Sequence, residues 1–225
     1  DSLINGKCAY EYRKSLGSEL AKETDLKADI VVPVPDSGVP SALGYAETAN
    51  KKFELGLIRN HYVGRTFIEP TQNIRSLGVK LKLSSTKTLV KNKSIILIDD
   101  SLVRGTTCHK IVKMLYESGA KEIHVRIACP EIKYPDFYGV DMPTKEELLA
   151  YKKNNQEMCD YIKAKSLKFL SLQGLYKALI GSERNSNYPQ FSDHYFTGDY
   201  PIKPDDNLNG FKIKQLSLLS GKSNS

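Results

Sequence analysis

Residues 95–107 read Ile-Ile-Leu-Ile-Asp-Asp-Ser-Leu-Val-Arg-Gly-Thr-Thr. Four apolar residues run straight into the carboxylates Asp99 and Asp100. A short loop holding Ser101, Val103, Arg104, Gly105, Thr106 and Thr107 follows, and then Ile111, Val112, Leu115 and Tyr116 recur at helical spacing. The pattern predicts a buried parallel strand whose carboxyl end opens into a ligand crevice, followed by a helix. Gly105 frees the main chain to approach a ligand, and the threonines are expected to cap the helix. Unpaired N–H groups at that helix start, with two hydroxyls, would cradle a monophosphate. The paired carboxylates suit a ribose diol, a Mg²⁺ ion, or both. An ordinary strand, turn and helix with solvated acidic turn residues fits the same letters.

Working outward, a second segment repeats the layout. Asp29 to Pro35 is β-rich and ended by proline; Asp36, Ser37 and Gly38 follow, and then a helix through Leu43, Tyr45 and Ala46. Upstream, Ala9, Tyr12, Leu16 and Leu20 share one face of a helix over residues 7–23. Phe53 to Ile58 predicts a second parallel strand. Arg59 to Ser85 shows no periodicity and holds Arg59, Arg65, Arg75, Lys80 and Lys82, as a lid or binding loop would. Glu122 to Ala128 predicts a strand closed by Pro130. Residues 155–180 predict a helix, a strand near Leu167 to Leu170, and a helix through Leu172, Leu175 and Leu179. Strands alternating with helices give an α/β class, with a parallel sheet, right-handed crossovers and extra carboxyl-terminal helices. The expected domain is residues 1–202, with 203–225 a loosely ordered tail.

At 225 residues and 40% hydrophobic, the chain has enough apolar material for one good core. Lys+Arg 33 against Asp+Glu 26 gives +7, which suits a polyphosphate substrate and nucleic acid equally. Cys8, Cys108, Cys129 and Cys159 are scattered without metal-ligand spacing, and His61, His109, His124 and His194 have no partner spacing for a metal or a base. Without a signal-like or membrane-length apolar run, a reducing cytoplasm is expected and a membrane is not.

The 95–107 stretch resembles the phosphoribosyl-pyrophosphate (PRPP) motif of the type I phosphoribosyltransferases. Its form IDDSLVRGTT is most similar to that of the glutamine PRPP amidotransferase family. PVPDSGVPSALGYA resembles that family's pyrophosphate loop, NHYVGRTFIEPTQNIR its mobile loop over PRPP, and EIKYPDFYGVDMPTKEELLA its next segment. The resemblance, over residues 1 to about 200, implies the type I fold. It also implies displacement of pyrophosphate from PRPP by ammonia, giving phosphoribosylamine.

By the same resemblance, Asp36, Ser37 and Gly38 bind pyrophosphate, Asp99 and Asp100 hold the ribose, and Ser101, Val103, Arg104, Gly105, Thr106 and Thr107 hold the 5′-phosphate. Ser37, Asp99 and Asp100 stand on the Mg²⁺ side. Arg65 and Lys82 hold the leaving pyrophosphate, and Asp99 and Asp100 steady the cationic sugar. Ile68 and Leu148 map onto walls of the family's ammonia passage; Leu148 equally fits a helix core. His61 departs from the family's usual Arg. Members with an iron–sulfur cluster use cysteines where this chain has Asp136 and the cysteine-free run Asn185 to Phe196, so no cluster is expected. Cys129 and Cys159 then read as small buried hydrophobes.

The family's glutaminase half, with its amino-terminal cysteine nucleophile, has no counterpart here; Asp1 stands first, and the chain is expected to be a fragment that uses ammonia. Purine nucleotides are the expected feedback inhibitors and a homo-oligomer the expected assembly. The alternatives are a nucleobase phosphoribosyltransferase and a PRPP-sensing nucleic-acid regulator. No helix-turn-helix or aromatic-interleaved basic patch supports the latter.

Overall fold

The computed structural model describes residues 2–60, 83–140 and 144–202. The expectations for His61, Arg65, Ile68, Arg75, Lys80, Lys82 and the 203–225 tail fall outside the described residues.

Five parallel strands form the central sheet: β3 (Ile30–Pro33), β4 (Lys52–Phe53), β7 (Ser94–Asp99), β8 (Glu122–Ile127) and β9 (Ser166–Phe169). Their order is β4-β3-β7-β8-β9, with Ile30 to Pro33 beside Ile95 to Ile98. Alternate residues feed opposite faces. Ile30, Val32, Ile95, Leu97, Ile123, Val125 and Ile127 enter one core with Ile111, Val112 and Leu115 of helix α4 (Thr106–Glu117). Val31, Ile96 and Ile98 enter the other, against Leu20 of α1 (Ala9–Lys22) and Ala42, Tyr45 and Ala46 of α2 (Val39–Thr48). Both faces are covered, which is why Ile95 to Ile98 is uniformly apolar rather than alternating.

Two antiparallel pairs lie outside this sheet. One joins β1 (Leu3–Ile4) to β2 (Lys7–Cys8). The other corrects the expectation of one parallel strand over Phe53 to Ile58. Lys52–Phe53 joins the parallel sheet, the chain turns with the Gly56 N–H bonded to the Glu54 carbonyl, and β5 (Leu57–Arg59) then pairs antiparallel with β6 (Leu83–Ser85). The long 59–85 stretch is thus bounded by a hairpin base that no local periodicity announced. A short helix α3 (Lys87–Val90) leads into β7.

The carboxyl-terminal part adds α5 (Leu149–Lys152), α6 (Asn155–Ile162), α7 (Leu172–Ile180) and the four-residue α8 (His194–Thr197). Asn154 and Ser171 cap α6 and α7 through side-chain oxygens. Asp193 fastens the last segment, accepting from the Tyr176 hydroxyl at 2.7 Å and from Arg184 at 2.5 Å. No described helix is long and apolar enough to cross a membrane.

Candidate active site

Strand order reverses between β3 and β7, since β4 lies on one side of the pair and β8 and β9 on the other. Ligands of open parallel sheets bind beyond the carboxyl ends of strands at such a point. Both phosphate-type loops of the sequence leave the sheet there, so two stretches some sixty residues apart become neighbours.

The first loop is held by the sheet. Val34 N–H donates to the Ile98 carbonyl at 2.8 Å and Gly38 N–H to the Val34 carbonyl at 3.0 Å. The Pro35–Asp36 peptide is cis. Gly38 has no room for a side chain: a Cβ would lie 2.7 Å from the Ile98 oxygen and 2.8 Å from that of Val34. It begins α2 without a side-chain cap. Asp36 is exposed and pairs with Arg59 of β5 at 2.6 Å, which brings the hairpin base to the loop; Ser37 is half-buried.

At the end of β7, Asp99 is only 8% exposed, while Asp100 is half-buried. The Asp100 N–H donates to Asp99 Oδ1 at 2.9 Å. Burial first, and then the charge of Asp100, push the Asp99 carboxyl well above the usual carboxylate range. Cys129 lies behind the pair, its thiol pushed up by burial and then by Asp100 and Asp99, so it stays neutral.

Beyond, Gly105 takes φ +74° and starts α4 with no side-chain cap. The threonines therefore do not cap the helix as expected. Thr106 and Thr107 are its first two residues, both exposed, and the glycine ahead of them leaves their N–H groups open. A cap would compete with an anion for these donors, so the uncapped start is the better cradle. Ser101 and Val103 are half-buried, and Arg104 points outward to Glu147 at 2.9 Å. The structure thus gathers Asp36, Ser37, Gly38, Asp99, Asp100 and residues 101–107 at one end of the sheet. Leu148 is fully buried, between a 3₁₀ turn and α5.

Sequence reading missed the partner of His194. Its Nε2 lies 2.8 Å from Asp136 Oδ1, with both side chains 1% exposed. Asp136 also accepts from the N–H groups of Tyr138 at 2.9 Å and Val140 at 2.7 Å. Burial pushes this carboxyl up, but the Val140 N–H, His194, the Tyr138 N–H and the Tyr195 hydroxyl together hold it below the usual range. Fifty-eight positions separate the pair, so no spacing could signal it. Among the described residues, no group of three or more His, Cys, Asp or Glu could hold a metal ion.

Comparison with known proteins bears on the family and the fold. Residues 11–156 match the family described as Phosphoribosyl transferase domain. An amidophosphoribosyltransferase of Rhizobium etli is 53% identical over 98% of this chain and 45% of that protein. Amidophosphoribosyltransferase 2, chloroplastic, of Arabidopsis thaliana is 50% identical over 91% of this chain and 36% of its own length. The solved glutamine PRPP amidotransferase from B. subtilis, complexed with ADP and GMP, superposes with a TM-score of 0.82. It is 46% identical over 92% of this chain and 45% of that one. The chain thus spans less than half the length of these relatives. The family match covers well over half of the residues and the sheet carries the matching loops, so this chain belongs to the phosphoribosyltransferase domain family, with the type I fold.

Proposed function

We propose that this chain displaces pyrophosphate from PRPP with ammonia to give 5-phosphoribosylamine, the entry to purine synthesis. Its relatives' longer chains motivate a further half that releases the ammonia from glutamine. One observation carries the reading: two helices, α2 and α4, start without side-chain caps on adjacent strands, beside a carboxylate pair. The open N–H groups of α4 and the Ser37 hydroxyl in the loop before α2 offer donors for two separate phosphate groups, and the carboxylates accept from the sugar that links them.

The N–H groups and hydroxyls of Thr106 and Thr107 hold the 5′-phosphate, within the loop of Ser101, Val103, Arg104 and Gly105. The Asp36–Ser37–Gly38 loop faces the pyrophosphate. Asp99 and Asp100 accept the ribose hydroxyls and steady the positive charge that develops on the sugar as the glycosidic bond breaks. Arg65 and Lys82 neutralise the departing pyrophosphate. Two adjacent carboxylates, one held protonated-prone by burial, suit a divalent cation that would relieve their repulsion, with the Ser37 hydroxyl as a further oxygen donor. Bound Mg²⁺ would supply Lewis-acid stabilisation of the leaving group. Ammonia attacks as the neutral base, so excluding water matters more than any general base on the protein.

Purine nucleotides, carrying the same 5′-phosphate, would inhibit by occupying the same cradle. A homo-oligomer in a reducing cytoplasm completes the reading; all four cysteines are free. An iron–sulfur cluster has no place in it, because Asp136 is already engaged by His194 and two main-chain N–H groups.

The test is residues 1–225 with PRPP, Mg²⁺ and ammonium. Pyrophosphate release is expected, rising with pH as more ammonia becomes neutral. Glutamine in place of ammonium should give only the background. No ammonium-dependent release would defeat the reading.

A further inference from the structure

The loop from Asp100 to Gly105 is anchored in the core by Leu102, 2% exposed, but has few main-chain ties. Among the described residues, one main-chain hydrogen bond ties residues 101–104 to another segment: Leu149 N–H to the Val103 carbonyl, at 2.9 Å. The Leu149 side chain, 7% exposed, then fills the space over the left-handed glycine. A Cβ on Gly105 would lie 2.6 Å from Leu149 Cδ2 and 3.1 Å from Tyr161 Cε1. Tyr161 reinforces the same spot, because its carbonyl lies 2.8 Å from His109 Nδ1 in the first turn of α4. The Arg104–Glu147 pair nearby is exposed on both sides and adds little.

These contacts converge on the residue whose conformation decides where α4 begins. Were Gly105 to leave the left-handed region, Thr106 and Thr107 would turn their N–H groups elsewhere. The geometry points to Leu149 as a positioning residue for the phosphate cradle: it touches no substrate, but pins Val103 through its main chain and Gly105 through its side chain. This rests on the PRPP reading above, whose 5′-phosphate the cradle would take. Loss of the pin weakens the hold on the phosphate equally in the ground and transition states. Affinity suffers and the chemical step does not.

The experiment uses the full chain with Leu149→Ala, the conservative Leu149→Met, and Leu115→Ala as a control. Leu115 is fully buried in the same helix, well away from its start. Amide hydrogen exchange at residues 103–107 is followed together with steady-state kinetics and competition by inorganic phosphate. For Leu149→Ala, KM for PRPP and the inhibition constant for phosphate are expected to rise roughly tenfold while kcat stays within about twofold. Exchange at 103–107 should quicken, and Leu149→Met should restore all of these. Leu115→Ala should lower the melting temperature but leave KM and the exchange at 103–107 unchanged.

Exchange at 103–107 that is unaltered by Leu149→Ala, or altered as much by Leu115→Ala, would overturn the proposal. Should Leu149→Ala not fold, Leu149→Val takes its place under the same criteria. A wild-type chain inert toward PRPP defeats the functional reading alone, because the exchange comparison needs no substrate.

Discussion

In the 34–38 loop the main chain folds back onto the sheet itself, through the Ile98 carbonyl and a glycine wedged against it. In the 100–105 loop the chain leaves its strand and is tied to residue 149, far along the sequence. Both precede a helix without a side-chain cap, but only α4 keeps its first N–H groups open, since those of Gly38 and Val39 bond the Val34 and Asp36 carbonyls and Pro40 has none. They differ in what a perturbation can reach. The first is built into the parallel register of β3 and β7 and shifts only if the sheet does. The second can be loosened by changing a side chain outside the sheet.

The largest effect that would sharpen this contrast lies in the carboxylates. Asp99→Asn with Asp100→Asn should lower PRPP-dependent pyrophosphate release by at least about 10²-fold, since it removes charge where the sugar becomes cationic. The fold should survive and gain stability at neutral pH. The folded-state pKa of Asp99 is raised, so its contribution is fully present below the unfolded carboxylate pKa and is lost as pH rises through the folded value. The variant's advantage in melting temperature should therefore grow as pH rises above about 4 and vanish in acid. Undiminished Mg-PRPP affinity in the folded variant would contradict the assignment.

A smaller effect separates the two glycines. At Gly38 a methyl group meets two main-chain carbonyls that cannot swing away, and Gly38→Ala should cost about 2–3 kcal/mol. At Gly105 it meets the ends of side chains that can, so Gly105→Ala carries mainly the left-handed penalty of about 1–2 kcal/mol. Thermal melts should rank them in that order, with Gly105→Ala nonetheless the worse phosphate binder. The reverse ranking in stability would mean that the first loop is the more pliable one.

The smallest concerns the ion pair beside each loop, Arg59–Asp36 and Arg104–Glu147, exposed on both sides. Arg59→Gln and Glu147→Gln should each change stability by under about 0.5 kcal/mol. Denaturant midpoints displaced well beyond that would show that surface charge, and not the packing described above, sets the loops.

What the sequence disclosed was whatever is contiguous. The run from Ile95 to Thr107 carries strand, acids, glycine and helix start in one stretch, and its environment could be deduced from neighbouring residues. The β5–β6 pair was hidden because each strand has three residues and its partner lies more than twenty positions away. Leu149 was hidden for the same reason, since Val103 and Gly105, which it contacts, lie far back along the chain. The threonines were assigned as caps because hydroxyls at a helix start usually are. Only the backbone shows that Gly105 occupies that position instead.

The buried Asp136–His194 contact has a bearing on how the molecule comes apart. Residues 183–202 hold to the body through this pair, the Tyr176 hydroxyl donating to Asp193, the Tyr195 carbonyl accepting from the Lys133 and Tyr134 N–H groups, and ring contacts such as Tyr138 with His194. The sheet is held mainly by apolar packing, but it buries His124 of β8, whose pKa burial lowers and which must charge in acid. The Asp136 carboxyl is held low, so its contribution is present above the unfolded carboxylate pKa and fades as pH falls through the folded one. Acid should therefore loosen the carboxyl-terminal segment as Asp136 takes up its proton, offering residues 183–202 to proteases.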